Sequence, residues 1–384
     1  MKSAGENSNR LRIIHGAYWF AYATLQLVNE QVNRHDVSVI TTRRAVNWLV
    51  EDEWRDMYDP RVDLRVERDR SRKDPLYYMD RVVGAWRGLR QFKPDVFHIQ
   101  QPSDHFLNHV FVRLRHLPIV LTVHDPAPHL GERTQAEIRR APLARELQRR
   151  ADWIIVHGQG VKGQLLEVNP DLDPDRISVV LLGAYRYMLR WVRPEYKERP
   201  KTVLFFGRIN TYKGLGVLMD AWPLVKKAAP DARLVVAGTG PDLQNYRDRI
   251  LADPSCELLD RQLPTPEVSR VYAESSILVL PYLEGTQSGP LSISLAFGKP
   301  VVATNVGGLP EMIDEGRSGF VVPPKNPEAL AEALVRMLND EPLRQRMAQR
   351  AAELGRTTLS PATLALQTED VYRKAIDFRR SKLG

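Results

Sequence analysis

The sequence predicts an α/β chain of two domains, each a mostly parallel sheet with helices on both faces, set across a cleft from one another. Three observations carry this. The 384 residues exceed what one hydrophobic core fills before a chain divides. From Leu11 onward, short β-branched runs alternate with helical stretches, the rhythm of strand–helix–strand crossovers. The basic, aromatic and proline-containing stretch from Gly183 to Pro200 interrupts that rhythm, which then resumes.

In the first unit, Leu11-Arg12-Ile13-Ile14 reads as a strand closed by a turn at Gly16, and a helix around Phe20 to Asn33 leads into the strand Val37-Ser38-Val39-Ile40. The stretch from Glu51 to Asp74, with acidic Glu51-Asp52-Glu53 and a basic run from Arg68 to Lys73, is expected to be a variable surface excursion. A helix from about Met79 to Gln91 precedes two strands, Asp95-Val96-Phe97-His98-Ile99 and Ile119-Val120-Leu121-Thr122-Val123. A charged helix around Thr134 to Ala151 and strands at Trp153 to Val156 and Ile177 to Leu181 complete this unit. The second unit has strands at Thr202 to Phe206, Arg233 to Ala237, Ile277 to Leu280, Val301 to Thr304 and Phe320 to Val322. Helices around Pro327 to Asn339, Pro342 to Leu354 and Ala362 to Arg379 close the chain. The expected division is 1–184 for the first domain, 185–200 for the linker, 201–360 for the second domain and 361–384 for a C-terminal helix with the option of packing back on the first.

The composition, 43% hydrophobic and 27% charged, is that of an ordinary folded protein. A single cysteine, Cys256, excludes an internal disulfide, and the start of the chain has no apolar run resembling a signal peptide, so a cytoplasmic setting is expected. No apolar run reaches the roughly 20 residues that span a bilayer. The net charge of +8 favours acidic partners. Part of it lies in Arg186, Arg190, Arg193, Lys197, Arg199 and Lys201 beside Tyr185, Tyr187 and Trp191, and part in Arg373, Lys374, Arg379, Arg380 and Lys382. These patches fit either a solvated surface or the inner face of an anionic membrane. No recognisable nucleic-acid-binding motif accompanies them, so nucleic acid is not an expected partner.

Chemistry is expected at three places. In Phe206-Gly207-Arg208-Ile209-Asn210-Thr211-Tyr212-Lys213-Gly214, a strand ends in glycine and two cations follow five positions apart, where an open α/β sheet binds ligands and where a diphosphate would suit both Arg208 and Lys213. In Glu284-Gly285-Thr286-Gln287-Ser288-Gly289-Pro290-Leu291-Ser292, a loop opens a helix with proline at its first turn, and the N–H groups and helix dipole face an approaching anion. The third is Val123-His124-Asp125 in the first unit, facing Asn305-Val306-Gly307-Gly308-Leu309-Pro310-Glu311 in the second. By position His124 is preferred over His98, with His157 and His129 weaker candidates. The run Asp171-Leu172-Asp173-Pro174-Asp175 lacks the glycine and glutamate of a calcium loop and reads as turn chemistry, so no metal site is expected. Gly238-Thr239-Gly240 has Leu243 where a dinucleotide fingerprint needs a third glycine, which leaves an oxidoreductase little support.

Taken together, Gly207-Arg208, Lys213-Gly214, Glu284-Gly285 and Gly298-Lys299-Pro300-Val301-Val302-Ala303-Thr304 running into Gly307-Gly308-Leu309-Pro310-Glu311 resemble the family 4 retaining glycosyltransferases. The first unit resembles the family more weakly, through Asp95-Val96-Phe97-His98 and Thr122-Val123-His124-Asp125. The resemblance implies a GT-B fold of two Rossmann-like domains and transfer of a sugar from a UDP or GDP donor to a glycan or lipid-linked acceptor in polysaccharide, lipopolysaccharide or glycolipid synthesis. It implies no cofactor. By position, Arg208 and Lys213 would hold the diphosphate, Glu284 would contact sugar hydroxyls, and His124 would lie beside the donor sugar. Gly16, Gly207, Gln287, Ser288, Gly289, Leu291 and Ser292 would line the donor site. The family's usual proposal is same-face attack, with the donor phosphate taking the acceptor's proton.

Two departures stand out. Ser292 occupies the place of the family's second glutamate, eight positions after the first, and the first loop keeps only Gly16 of a glycine pair. These leave room for two rivals, a non-catalytic partner protein of the same fold and a sugar-nucleotide epimerase.

Overall fold

A computed structural model describes residues 9–17, 21–46, 54–67, 76–101, 114, 116–130 and 135–383. The first sheet comprises β1 (Arg12–Ala17), β2 (Asp36–Thr42), β3 (Asp63–Glu67), β4 (Val96–Gln100), β5 (Ile119–Thr122), β6 (Trp153–Val156) and β7 (Ile177–Val179). Its order is β3-β2-β1-β4-β5-β6-β7, and every neighbouring pair is parallel. The second comprises β8 (Thr202–Phe206), β9 (Arg233–Ala237), β10 (Cys256–Leu259), β11 (Ile277–Leu280), β12 (Val301–Thr304) and β13 (Gly319–Val322), in the order β10-β9-β8-β11-β12-β13, again parallel throughout.

The near-continuous apolar strands follow from burial on both faces. Ile14 packs with Ala85 and Leu89 of the helix Tyr77–Phe92, while its neighbour Ile13 points the other way, onto Leu364, Val371 and Tyr372 of the C-terminal helix Pro361–Leu383. In the second lobe Phe205 packs on Trp222 of the helix Leu215–Ala228, and Leu204 joins Tyr272 on the opposite face. The chain thus ends by covering a face of the sheet it began with. Glu369 fixes that helix to Arg34 at 2.7 Å and His35 at 3.1 Å.

Four expectations change. Gly16 is not a turn: β1 runs through it to Ala17, pairing Gly16 with Ile40 and Ile99. The irregular excursion contains β3, an edge strand paired with β2, although its flanks at 51–53 and 68–75 lie outside the described residues. β10, on the far edge of the second sheet, has no counterpart in the sequence reading. The stretch after Gly183 is more than a tether, because Tyr185 and Met188 are buried in the second lobe's core and the Tyr185 N–H donates to the Ser292 carbonyl at 3.0 Å.

Candidate active site

Each sheet reverses its strand order near the centre, at β1/β4 and at β8/β11. Ligands bind open α/β sheets in the crevice beyond the strands' carboxyl ends at such points. In the second lobe the loops after β8 and β11 meet there. The Leu283 N–H donates to the Tyr212 carbonyl at 2.7 Å. Gly214 (φ 69°) approaches so closely that a Cβ would stand 1.9 Å from the Pro281 oxygen, a position only glycine can fill.

This junction fixes Lys213. Its side chain is buried, with Nζ 3.9 Å from the Tyr282 ring centroid and 4.9 Å from that of Tyr212, a cation–π arrangement. Burial works against the charge, but interaction with the Tyr282 and Tyr212 oxygens outweighs it and holds the amine above the ordinary lysine value. Among the described residues no carboxylate forms an ion pair with Lys213. Arg208, on the same loop, is exposed.

Ser288 caps the helix Gly289–Phe297, accepting from the Leu291 N–H at 3.3 Å, and its hydroxyl meets that of Tyr282 at 3.2 Å. The cap uses much of what the helix end could offer an anion. Pro290 has no N–H, the Leu291 N–H is spent on Ser288 Oγ, and the Ser292 N–H goes to the Ser288 carbonyl. Leu291 itself lies in the apolar core, so its expected place in the donor site is not supported by its surroundings. The Ser292 Oγ and Gln287 Oε1 are buried without a hydrogen-bond partner among the described residues.

The first lobe contributes His124, just past β5. Its Nδ1 lies 2.6 Å from Gln287 Nε2 and its Nε2 3.2 Å from Gln100 Oε1. An amide N–H can only donate and an amide oxygen only accept, so with these side-chain amides as placed the ring carries its proton on Nε2. Burial, and then the neighbouring His157 ring at 4.8 Å, lower its pKa to about 3, so the imidazole is neutral. His98, the rejected alternative, is structural. It sits in mid-sheet with Nδ1 2.7 Å from the Tyr372 hydroxyl and Nε2 2.7 Å from Thr122 Oγ1.

Further contacts bind the two lobes. The Thr286 hydroxyl donates to Asp125, and the Leu130 N–H donates to Glu284. His129 stacks on Tyr212 with centroids 4.4 Å apart. Glu311 accepts the Gln159 N–H at 2.6 Å and the Gly160 N–H at 3.3 Å, neutralising the start of the first-lobe helix Gln159–Val168. The structure therefore gathers Lys213, Glu284, Gln287, Ser288 and His124 around one cleft. Gly16 ends up within β1, Gly207 (φ 125°) turns the chain out of β8, and Gly289 opens the capped helix. The sequence offers His129 only as a weaker candidate and does not single out Tyr212. The available signals were the four-residue spacing of Asp125 and His129 and the adjacency of Tyr212 to Lys213.

The family description Glycosyltransferase Family 4 matches residues 10–184, and Glycosyl transferases group 1 matches residues 200–340. D-inositol 3-phosphate glycosyltransferase of Corynebacterium glutamicum is 31% identical over 285 residues, covering 68% of this chain and 67% of that one. Alpha-maltose-1-phosphate synthase of Mycolicibacterium smegmatis is 28% identical over 302 residues, covering 69% and 75%. Among solved structures, sucrose-phosphate synthase from Thermosynechococcus elongatus has a TM-score of 0.70 at 16% identity, over 95% of this chain and 99% of that one. Anabaena HepE in complex with UDP and glucose has a TM-score of 0.67 at 16% identity, over 94% and 99%. Such distant structures speak to the fold alone, which is GT-B.

Proposed function

Since the chain belongs to the family 4 glycosyltransferases, and is a hexosyltransferase that uses a nucleotide-sugar donor, we propose that it transfers the sugar with retention of configuration to a lipid-linked glycan. The observation that carries the donor assignment is Lys213, a buried cation at the β8/β11 switch point with no carboxylate counter-ion among the described residues. A buried charge needs a partner, and a diphosphate supplies one.

In this reading the acceptor hydroxyl attacks the anomeric carbon from the side the leaving group departs. The bond from that carbon to the diphosphate oxygen breaks, its electron pair leaves with the diphosphate, and a phosphate oxygen takes the acceptor's proton. Lys213 and Arg208 stabilise the charge that develops on the diphosphate, which favours the transition state over the bound substrate. Neutral His124, with Nδ1 accepting from Gln287 and Nε2 donating to Gln100, is arranged to fix the cleft loop rather than to remove a proton. Glu284 and the orphaned Gln287 Oε1 are acceptors for sugar hydroxyls, and the Ser292 Oγ stands in for the missing carboxylate toward the ribose.

Isothermal titration with UDP, GDP, UDP-glucose and GDP-mannose tests the donor site, with an Arg208→Ala, Lys213→Ala double variant as control. Binding of one nucleotide that drops about 100-fold or more in the variant supports the assignment. A folded wild-type protein that binds none of the four sinks it and favours the non-catalytic rival.

Support for a membrane-borne acceptor comes from the helix Tyr77–Phe92, which exposes Met79, Val83 and Trp86 along one stripe beside Arg87 and Arg90, the make-up of an interfacial helix. The basic C-terminal patch contributes less than its composition suggests, because Arg379 is mostly buried and paired with Asp152, and Arg373 bonds Asn9. Co-sedimentation with phosphatidylglycerol vesicles, but not phosphatidylcholine vesicles, that Trp86→Glu abolishes is the expected result. Equal recovery of both proteins with either vesicle counts against it.

A further inference from the structure

The donor-site reading leaves His129 unexplained. It is a first-lobe side chain that touches two second-lobe residues beside the diphosphate cation. Its Nε2 lies 3.1 Å from Asp125 Oδ1, its Nδ1 3.7 Å from Glu284 Oε1, and its ring lies nearly flat on Tyr212, 4.4 Å between centroids at 21°. The side chain is only 12% exposed.

These contacts have a definite chemical sense. Burial pushes the Asp125 carboxyl up, but the hydrogen bonds from His129 and Thr286 and the charge of the His129 ring prevail and hold it below the usual range. Asp125 is therefore a carboxylate and can only accept, so His129 presents an N–H at Nε2. The other ring nitrogen faces Glu284 Oε1, to which the Leu130 N–H also donates. One oxygen of Glu284 is thus held by the first lobe, while the side chain remains 39% exposed and can turn its Oε2 to a ligand. The clamp is anchored on Tyr212, next in sequence to Lys213.

Resting on the donor assignment above, we propose that His129, held by Asp125, is the positioning residue for Glu284, so that the sugar is read only when the lobes are together. The bare nucleotide diphosphate, held by Arg208 and Lys213, does not depend on it. His129 therefore separates recognition of the sugar from recognition of the diphosphate.

The test compares binding of a sugar-bearing and a sugar-free nucleotide, UDP-glucose against UDP and GDP-mannose against GDP, by isothermal titration. The proteins are the full-length wild type, His129→Ala, His129→Asn and His129→Gln, each checked by thermal denaturation. His129→Ala is expected to weaken the nucleotide sugar about tenfold, the scale of one close charge pair shielded from water, and to leave the bare nucleotide within about twofold. Asn, whose amide falls near the position of Nδ1, restores nucleotide-sugar binding. Gln, whose amide falls near Nε2, does not. Should His129→Ala fail to fold, the Asn and Gln variants carry the comparison alone. Equal losses for sugar-bearing and sugar-free ligands, no loss for either, or identical behaviour of Asn and Gln overturns the proposal. A wild-type protein that binds none of the four ligands overturns the donor assignment, and this proposal with it.

Discussion

The two lobes build their halves of the cleft in different ways. The second lobe uses contiguous loops, Gly207 to Gly214 and Pro281 to Ser288, joined backbone to backbone where Gly214 admits no side chain. The first lobe uses residues far apart in sequence, linked by buried hydrogen bonds. Tyr372 of the C-terminal helix reaches His98 at 2.7 Å, His98 reaches Thr122 at 2.7 Å, and Gln100 reaches His124 at 3.2 Å. His124 then crosses to Gln287 at 2.6 Å. A loop motif can hold an anion through local geometry, whereas a buried polar chain functions only while every member is satisfied. The lobes should therefore respond differently to perturbation.

Acid gives the largest separation. All nine histidines lie at or before His157, in the first lobe, and none lies in the second. Burial lowers the pKa of His15 to about 4, against its hydrogen bond to Gln31, and that of His124 to about 3; His98 and His157 are lowered as well. Between the ordinary histidine value of 6.5 and these values, the unfolded chain binds protons that the folded one does not. Their stabilisation is complete above that range and is lost as the pH falls through it, by about 1.4 kcal/mol per pH unit for each histidine. At pH 5.5 His15 and His124 together cost about 3 kcal/mol. Hydrogen exchange at pH 7.5 and pH 5.5 should show β1, β4 and β5 losing protection while β8, β9 and β11 keep it. Uniform loss in both sheets would mean that the buried histidines do not set acid stability.

The same contrast explains what could be read in the sequence. The central strands of both sheets were legible because burial on two faces makes them continuous apolar runs. The edge strands were not. β3, Asp-Leu-Arg-Val-Glu, carries three charges in five residues and reads as irregular, and β10 is four residues long and includes Glu257. Gly16 looked like a turn because glycine usually punctuates a strand, yet here it lies inside β1, between β2 and β4. The second-lobe motif reads as a block because its residues are contiguous in sequence, and the structure puts the Leu291 side chain in the core. In the first lobe, His129 follows Pro126 and Pro128 in a stretch without periodicity, and its partners Glu284 and Tyr212 are more than 80 positions away. No local pattern announces such a contact.

The smallest effects come from a matched pair of glycines on the helix Gln159–Val168, where the lobes touch. A Cβ at Gly160 would stand 2.7 Å from the Gly307 carbonyl, across the cleft, and Gly307 is itself packed closely on backbone, with its own Cβ position 2.0 Å from the Gly285 oxygen. At Gly163, three residues along, nothing lies within 4 Å. Gly160→Ala must push one lobe from the other, at a cost of about 1–3 kcal/mol, and it disturbs the Gly160 and Gln159 N–H bonds to Glu311. The expected outcome is a raised KM for the nucleotide sugar. Gly163→Ala should instead stabilise the helix by about 0.5–1 kcal/mol, the usual gain from replacing glycine in an exposed helix interior, and leave KM unchanged. Thermal denaturation and donor titration on both variants decide between two views of this contact. If the two alanines raise stability alike and neither changes KM, the Gly160–Gly307 approach can be relieved without loss and donor binding does not require it. If only Gly160→Ala weakens the donor, glycine at 160 keeps the lobes close enough for the scattered first-lobe residues to act on the second-lobe motif.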